Sequence, residues 1–224
     1  MTGRSDNAQP LDLLQEGTAI LGGQLTPLSL DQFRVYLEEL QRWNARVNLT
    51  SLKSDRDIII KHFLDSLAVL PFLGNAASLA DLGSGAGFPG LALKLVRPGL
   101  ALTLVEARAK KAAFLEYLIS LLKLKGVEVA QVHLTPALAR KWGPRFEAVA
   151  SRAAFPLSRF LELAAPLLLP EGRVLALKGP NLAAGEMDAA REKCGSLGLG
   201  PLELHRYDLP FGEEARILVA ARRL

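Results

Sequence analysis

The residues of this chain best suited to chemistry form a glycine-rich stretch in its first half. Asp81 comes two residues before the first of three glycines at alternate positions, Gly83, Gly85 and Gly87. Glycine has no Cβ, so it takes positive φ readily and lets a ligand lie against the main chain. Pro89 suits the start of a helix, whose free N–H groups and dipole favour a bound anion. The stretch predicts a strand, a tight turn and a helix start that bind a carboxylate or a phosphate.

The spacing of this stretch separates two classes of cofactor. A dinucleotide fingerprint, Gly-x-Gly-x-x-Gly, needs a third glycine at position 88, which is Phe88. The observed Asp-x-Gly-x-Gly-x-Gly instead resembles the first motif of S-adenosylmethionine-dependent methyltransferases. In that class an acid at the end of the next strand binds the ribose hydroxyls, and Glu106 ends the apolar run 102–105. We therefore expect a cofactor site rather than a plain glycine turn with a capping Asp81 and a surface Glu106.

Two structural regions are expected from the order of helix and strand patterns. Residues 1–10 are polar and expected to be loose, and 11–75 are expected to form a helical cap whose longer helix is capped by Ser29. From 76 to 224 helix and strand patterns alternate. The expected strands are 78–82, 101–106, 127–133, 146–150, 173–178, 202–207 and 215–221. The pattern predicts a mostly parallel α/β sheet of seven strands, with helices on both faces and a closing hairpin.

The composition is that of a folded protein, since 50% of the 224 residues are hydrophobic and 22% are charged. The single cysteine, Cys194, excludes an intramolecular disulfide, and the histidines are too far apart in sequence for a zinc-ligand pattern. No secretory signal is recognised, and the apolar run 160–169 is too short to span a bilayer. We expect a cytoplasmic, metal-free monomer, and a net charge of +4 leaves a polyanionic partner open.

Ligands of open α/β sheets bind beyond the carboxyl ends of the strands. This rule selects the segments 81–88, 106–108, 134–136, 151–153 and 178–181. Ser84 lies in the first segment, and Ala107 and Arg108 follow Glu106 in the second, so all of them are expected in the cofactor site.

Polar residues of the expected cap could contact a substrate. Asn48 falls between two cap helices, and helical spacing places His62, Asp65 and Ser66 on one face of the second helix. A hydrogen-bonded network between the helices explains this cluster equally well.

Five short motifs occur in a characteristic order, at 48–51, 62–66, 81–90, 151–153 and 177–179. Together they resemble the small-subunit ribosomal RNA methyltransferase G family, formerly glucose-inhibited division protein B, from about Phe33 onward. The resemblance implies a class I, Rossmann-like methyltransferase fold. It also implies methyl transfer from S-adenosylmethionine to N7 of a guanine in the 530 loop of bacterial 16S rRNA, with S-adenosylhomocysteine as product. The partner is then 16S rRNA or the small ribosomal subunit.

The resemblance also assigns residues to the cofactor. It implies that Gly83 and Phe88 line the cofactor, that Glu106 meets the ribose and that Arg152 lies at the site. The pair after the third strand should flank the adenine.

That pair departs from the family pattern. Thr135 and Pro136 stand where members usually have Ala-Glu, and proline offers neither an N–H nor a carboxylate. Either Thr135 and backbone carbonyls contact the adenine, or Ala137 does so through a shifted loop. The segment around Pro136 and Trp142 is expected to be irregular.

The implied chemistry needs no general base, because guanine N7 has a lone pair and no proton. Positioning of the reacting atoms can contribute about 7–11 kcal/mol. Arg152 and Lys178, each at a strand end, are expected to hold an RNA phosphate or guanine O6. Either could instead pair with Glu106 or Asp81. The candidate substrate-binding residues are Asn48, His62, Asp65, Lys178 and Arg216.

Three other functions remain open at this point. A small-molecule methyltransferase is suggested by the modest net charge, and a non-catalytic RNA-binding module by the unusual pair Thr135 and Pro136. A nicotinamide oxidoreductase is the weakest alternative because of Phe88.

Overall fold

Seven strands form one sheet in the computed structural model, which describes residues 10–212 and 214–224. The strands are β1 (Ser78–Leu82), β2 (Ala101–Val105), β3 (Val127–Ala130), β4 (Phe146–Arg152), β5 (Leu168–Lys178), β6 (Glu203–Asp208) and β7 (Ala215–Arg222). Their order is β3-β2-β1-β4-β5-β7-β6; β7 runs antiparallel to β5 and β6, and the other neighbours are parallel. The predicted mostly parallel sheet and closing hairpin are confirmed.

Helices precede the sheet and then alternate with its strands. The first are α1 (Pro10–Ile20), α2 (Pro27–Val47), α3 (Asp55–Ile58), a π-helix (Ile59–Leu64), α4 (Asp65–Leu67) and α5 (Leu70–Leu73). The others are α6 (Gly90–Val96), α7 (Ala109–Leu121), α8 (Pro136–Trp142), α9 (Leu157–Ala164) and α10 (Glu186–Cys194), with 3-10 turns at Ala165–Leu167 and Gly195–Leu197. None of the helices within the described residues is long and apolar enough to cross a membrane.

The sheet is covered on both faces. On one face the cap and α6 and α7 share a core in which Phe33, Tyr36, Phe63 and Phe114 are fully buried. On the other face α8, α9 and α10 form a second core around Phe160. Burial of these apolar side chains is the main stabilising term of the fold. The shared core also holds the cap against β1, the strand that precedes the glycine turn.

Local signals explain two differences from the sequence expectations. Thr26, not Ser29, caps α2: its Oγ1 accepts the Ser29 N–H at 3.1 Å. The segment around Pro136 is helical, because Thr135 Oγ1 accepts the Leu138 N–H at 3.2 Å and Pro136 occupies the first turn, where its missing N–H costs nothing. Residues 1–10 were expected to be loose, but Pro10 begins α1; residues 1–9 lie outside the described part of the chain.

Candidate active site at the carboxyl ends of the strands

A cavity of about 400 Å³ lies beyond the carboxyl ends of β1, β2 and β4. Its walls include the segments 82–86, 105–108 and 132–134, together with Phe88 and Arg152. In the sheet order, β1 separates β2 from β4, so this is the crevice at which open α/β sheets bind their ligands. The volume falls within the usual range for small-molecule sites.

The glycine turn after β1 requires glycine for two different reasons. Gly83, Gly85 and Gly87 all have positive φ, at 71°, 59° and 100°. A Cβ on Gly83 would lie 2.6 Å from Ala154 Cβ, and one on Gly87 would lie 2.6 Å from the Tyr36 hydroxyl. Among the described residues, a Cβ on Gly85 would meet nothing closer than 3.8 Å. Gly83 and Gly87 therefore allow close packing, whereas Gly85 keeps its side of the turn open to a ligand.

Glu106 lines the cavity beside this turn and is itself held by main-chain N–H groups. Its Oε2 accepts the Gly85 N–H at 2.9 Å, and its Oε1 accepts the Arg108 N–H at 2.8 Å. The Ser84 hydroxyl donates to the Asp81 carbonyl at 2.8 Å. The carboxylate and the glycine turn form one preorganised unit, which fits a ligand that carries hydroxyl groups.

Asp81 lies behind the turn instead of lining the cavity. It is fully buried, its Oδ2 accepts the Gly90 N–H at 2.9 Å, and its Oδ1 has no hydrogen-bond partner among the described residues. Burial raises the pKa of Asp81 to about 7, although the Gly90 N–H and the charge of Arg152 favour the ionised form. In this position Asp81 anchors the start of α6.

Arg152, at the end of β4, bridges the core and the cap. Its Nη1 donates to the Lys61 carbonyl at 2.9 Å, and its Nη2 faces His62 Nδ1 at 2.9 Å. Nη1 also lies 3.5 Å from Asp65 Oδ2. The guanidinium carbon is 4.8 Å from the centroid of the Phe88 ring. The cation is thus held over an aromatic face at the wall of the cavity.

His62 belongs to the π-helix, a conformation that often occurs at functional sites. Its ring stacks on Phe88 at 4.7 Å between centroids, and its Nε2 lies 2.7 Å from the Thr50 hydroxyl. Burial, reinforced by the charge of Arg152, lowers the pKa of His62 to about 3. The imidazole is therefore neutral at physiological pH.

Asp65 joins three parts of the chain but does not line the cavity. It accepts the Tyr207 hydroxyl at 3.0 Å, and Arg216 Nε lies 3.8 Å from the same oxygen. Burial raises the pKa of Asp65, while the charge of Arg152 opposes the shift. Arg216 lines a second, smaller cavity of about 230 Å³ beside Lys61. The predicted cluster of His62, Asp65 and Ser66 is thus a hydrogen-bonded network, in which Arg152 lies between His62 and Asp65 and the Ser66 hydroxyl donates to the His62 carbonyl at 2.6 Å.

Four further predicted site residues also lie outside the main cavity. Lys178 pairs with Glu186 at 2.7 Å and donates to the Phe155 carbonyl at 2.8 Å. Thr135 and Pro136 begin α8, and the preceding residues 132–134 line the cavity in their place. Asn48 is exposed and ends α2 in the left-handed conformation.

Several residues at the site were not assigned to the cofactor from the sequence, Tyr36 and Lys111 among them. The Tyr36 hydroxyl donates to the Ala86 carbonyl of the glycine turn at 2.5 Å and is fully buried. In the sequence Tyr36 is one member of an apolar helical stripe, which gives no sign of this contact. Lys111 lines the cavity and stands beside Lys110 in a basic pair that a solvated helix face would also explain.

This sheet order, with a glycine turn after β1 and an acid after β2, defines a class I methyltransferase. Solved structures agree on the fold: an O-methyltransferase from Bacillus cereus in complex with SAH has a TM-score of 0.58 at 17% identity, over 84% of this chain and 90% of that chain.

The family follows from closer relatives. The family model for rRNA small subunit methyltransferase G matches residues 29–210. A ribosomal RNA small subunit methyltransferase G from Geobacter sp. (strain M21) is 39% identical over 95% of this chain and 97% of its own length. One from Deinococcus deserti is also 39% identical, over 97% of this chain and 90% of its own length. The chain belongs to this family, as its motifs predicted.

Proposed function

We propose that this protein transfers a methyl group from S-adenosylmethionine to N7 of one guanine in the 530 loop of 16S rRNA, acting in the cytoplasm as a monomer without a metal. Family membership makes the chain an S-adenosylmethionine-dependent methyltransferase of small-subunit ribosomal RNA. It therefore favours this reaction over a small-molecule substrate, a non-catalytic RNA-binding role or a nicotinamide reaction. The assignment of the reaction to guanine N7 rests on the position of Arg152 at the cavity wall.

The residues around the cavity fit S-adenosylmethionine. The open side of Gly85 leaves room against the main chain, and the buried carboxylate of Glu106 suits the two ribose hydroxyls. Residues 132–134 line the cavity, which supports them as the residues that flank the adenine, a role predicted for Thr135 and Pro136. When bound, the cofactor supplies an electrophilic methyl group on its sulfonium.

Arg152 is suited to orient the guanine. An arginine has five N–H donors, and the contacts with Lys61, His62 and Asp65 use three of those on Arg152. The other two have no protein partner within the described residues, so they are available to guanine O6 or to a phosphate. Because N7 needs no deprotonation, holding the base in line with the methyl group is the main task of these residues.

The test is methylation of unmodified 16S rRNA and of small ribosomal subunits with labelled S-adenosylmethionine. We expect one 7-methylguanosine per RNA, in the 530 loop, and RNA affinity that falls steeply as salt rises. Arg152→Met should lose most of this incorporation while still binding the cofactor. Label at another position, or no incorporation into either substrate, would refute the proposal.

A further inference from the structure

We infer that Thr50 is a positioning residue for methyl transfer: its hydroxyl accepts the Nε2–H of His62 and fixes the imidazole ring, and His62 in turn holds Arg152 in the orientation that meets the guanine. The part that concerns Arg152 and guanine rests on the proposed function. The part that concerns the histidine ring follows from donors and acceptors alone.

The first step is the contact between Arg152 and His62. Arginine has donors and no acceptor, so His62 Nδ1, 2.9 Å from Arg152 Nη2, must accept and cannot carry a hydrogen. Nδ1 also lies 3.1 Å from the Lys61 carbonyl, which accepts from Arg152 Nη1 at 2.9 Å. The guanidinium therefore spans two neighbouring acceptors, the Lys61 carbonyl and His62 Nδ1.

The second step places the ring hydrogen. A neutral imidazole with a bare Nδ1 carries its hydrogen on Nε2, which lies 2.7 Å from Thr50 Oγ1. Thr50 must therefore accept from the ring. The opposite tautomer would put a hydrogen between Nδ1 and a donor of Arg152, and the two would repel.

The third step shows that Thr50 is itself held in place. The Asn44 side chain makes two hydrogen bonds of 2.9 Å to the Thr50 main chain, one donated by Asn44 and one accepted. Thr50 Oγ1 also accepts the Leu52 N–H at 3.1 Å. The Leu52 N–H uses one of the two lone pairs of this oxygen, which leaves the other for the His62 Nε2–H.

Neither Asn44 nor Thr50 lines the cavity, so neither is placed to touch the cofactor. Their effect on the reaction must pass through His62 and Arg152. A chain of hydrogen bonds from α2 thereby reaches the side chain that faces the substrate.

The wild-type protein gives the first test, by nitrogen NMR of ring-labelled histidine. The chain has three histidines, and the variants His133→Gln and His205→Gln assign the remaining signal to His62. We expect a neutral ring at pH 7 with hydrogen on Nε2. A ring with hydrogen on Nδ1, or on both nitrogens, would overturn the inference without any variant at position 50.

The second test compares Thr50→Val, which keeps the shape and removes the oxygen, with the matched control Thr50→Ser, which keeps the oxygen. For Thr50→Val we expect altered His62 ring signals and a loss of about tenfold in kcat on RNA, with little change in KM, since a buried donor loses its partner. Cofactor affinity should stay within about twofold of wild type, and Thr50→Ser should restore both the signals and kcat.

Three outcomes separate the possibilities. If Thr50→Val keeps the wild-type signals of His62, or changes them while kcat is unchanged, the inference is wrong. If Thr50→Val does not fold, the wild-type spectrum still decides the tautomer, and Thr50→Ser and Thr50→Ala take its place in the kinetic comparison. If the wild-type protein methylates no ribosomal RNA, the proposed function fails, whereas the ring measurement remains valid.

Discussion

The guanidinium carbon of Arg152 lies 4.8 Å from the centroid of the Phe88 ring, so a cation at the end of β4 rests on the residue that follows the glycine turn of β1. The His62 ring stacks on the same phenylalanine at 4.7 Å. Phe88 thereby replaces the third glycine of a dinucleotide site with an aromatic support for Arg152.

Phe88→Leu should weaken this support. Because the cation–π contact with Arg152 is lost, we expect the rate of methyl transfer to fall by roughly three- to tenfold. The free energy of unfolding should fall by about 0.5–1.5 kcal/mol for each aromatic pair removed. Phe72→Leu is the matched control, since Phe72 contacts His205 at 4.7 Å away from the cavity. Equal losses of activity in the two variants, measured by initial rates and urea unfolding, would contradict the role of Phe88.

Two glycines of the turn should respond differently to alanine. Gly85→Ala should fold with a strain cost of about 1–2 kcal/mol and should weaken cofactor binding, because its Cβ enters the open side of the turn. Gly83→Ala should lose both stability and binding, since its Cβ would lie 2.6 Å from Ala154 Cβ. Calorimetric titration with S-adenosylmethionine and thermal unfolding measure the two effects.

Gly143→Ala controls for backbone strain in that comparison. Gly143 has φ of 70°, and a Cβ there would meet no atom within 4 Å in the described part of the chain. It should lose the same stability as Gly85→Ala and bind the cofactor normally. A Gly85→Ala protein with wild-type affinity would show that the turn is only scaffolding.

The stability of the ligand-free protein should depend on pH through Asp81. The pKa of Asp81 is about 7 in the folded state and has its ordinary value of 3.8 in the unfolded chain. At pH values between the two, the folded protein therefore holds a proton on Asp81 that the unfolded chain releases. Its contribution to stability is therefore fully present below about pH 4 and is lost as pH rises to about 7, a change of up to a few kcal/mol.

Asp81→Asn keeps an acceptor for the Gly90 N–H and removes the titration. Urea unfolding at pH 5 and pH 8 should show a smaller fall in stability for the variant than for wild type. Parallel pH dependences of the two proteins would mean that another group causes the change.

Lys178 and Glu186 should be coupled in stability. Burial alone would raise the pKa of Glu186, but hydrogen bonds from Lys178 and from the Leu157 N–H outweigh it and lower the pKa. Lys178→Met should cost about 1–3 kcal/mol, and a double-mutant cycle with Glu186→Gln should give a coupling above roughly 0.5 kcal/mol. No coupling, together with lost methylation by Lys178→Met, would support the substrate role predicted from the sequence.

The strands could be predicted from sequence because their signals are local. Glycine and proline separate the apolar runs, and Pro98 and Gly126 each fall between a helix and the strand that follows it. The strand β5 begins at Leu168, before the predicted start at Arg173, and Leu168 pairs with Phe146 of β4. Pro170 and Glu171 interrupt the apolar pattern of this stretch, so the sequence did not indicate the earlier start.

Among the site residues, those with a local sequence signal could be predicted, and those that depend on tertiary contacts could not. Glu106, Gly83 and Gly85, expected at the site from their types and spacing, do line the cavity. The bond between Tyr36 and Ala86 joins residues 50 positions apart, and the pairing of Lys178 with Glu186 depends on how α10 packs. No local sequence pattern indicates either contact, because both depend on the tertiary packing.

The hydrogen bond from Tyr36 to the Ala86 carbonyl has a consequence for folding. It ties the longest helix of the cap to the loop that would receive the cofactor, and Gly87 must remain bare to admit the phenol ring. Methyl-donor binding should therefore slow hydrogen exchange in α2 as well as in the loop, so that both open as one cooperative unit.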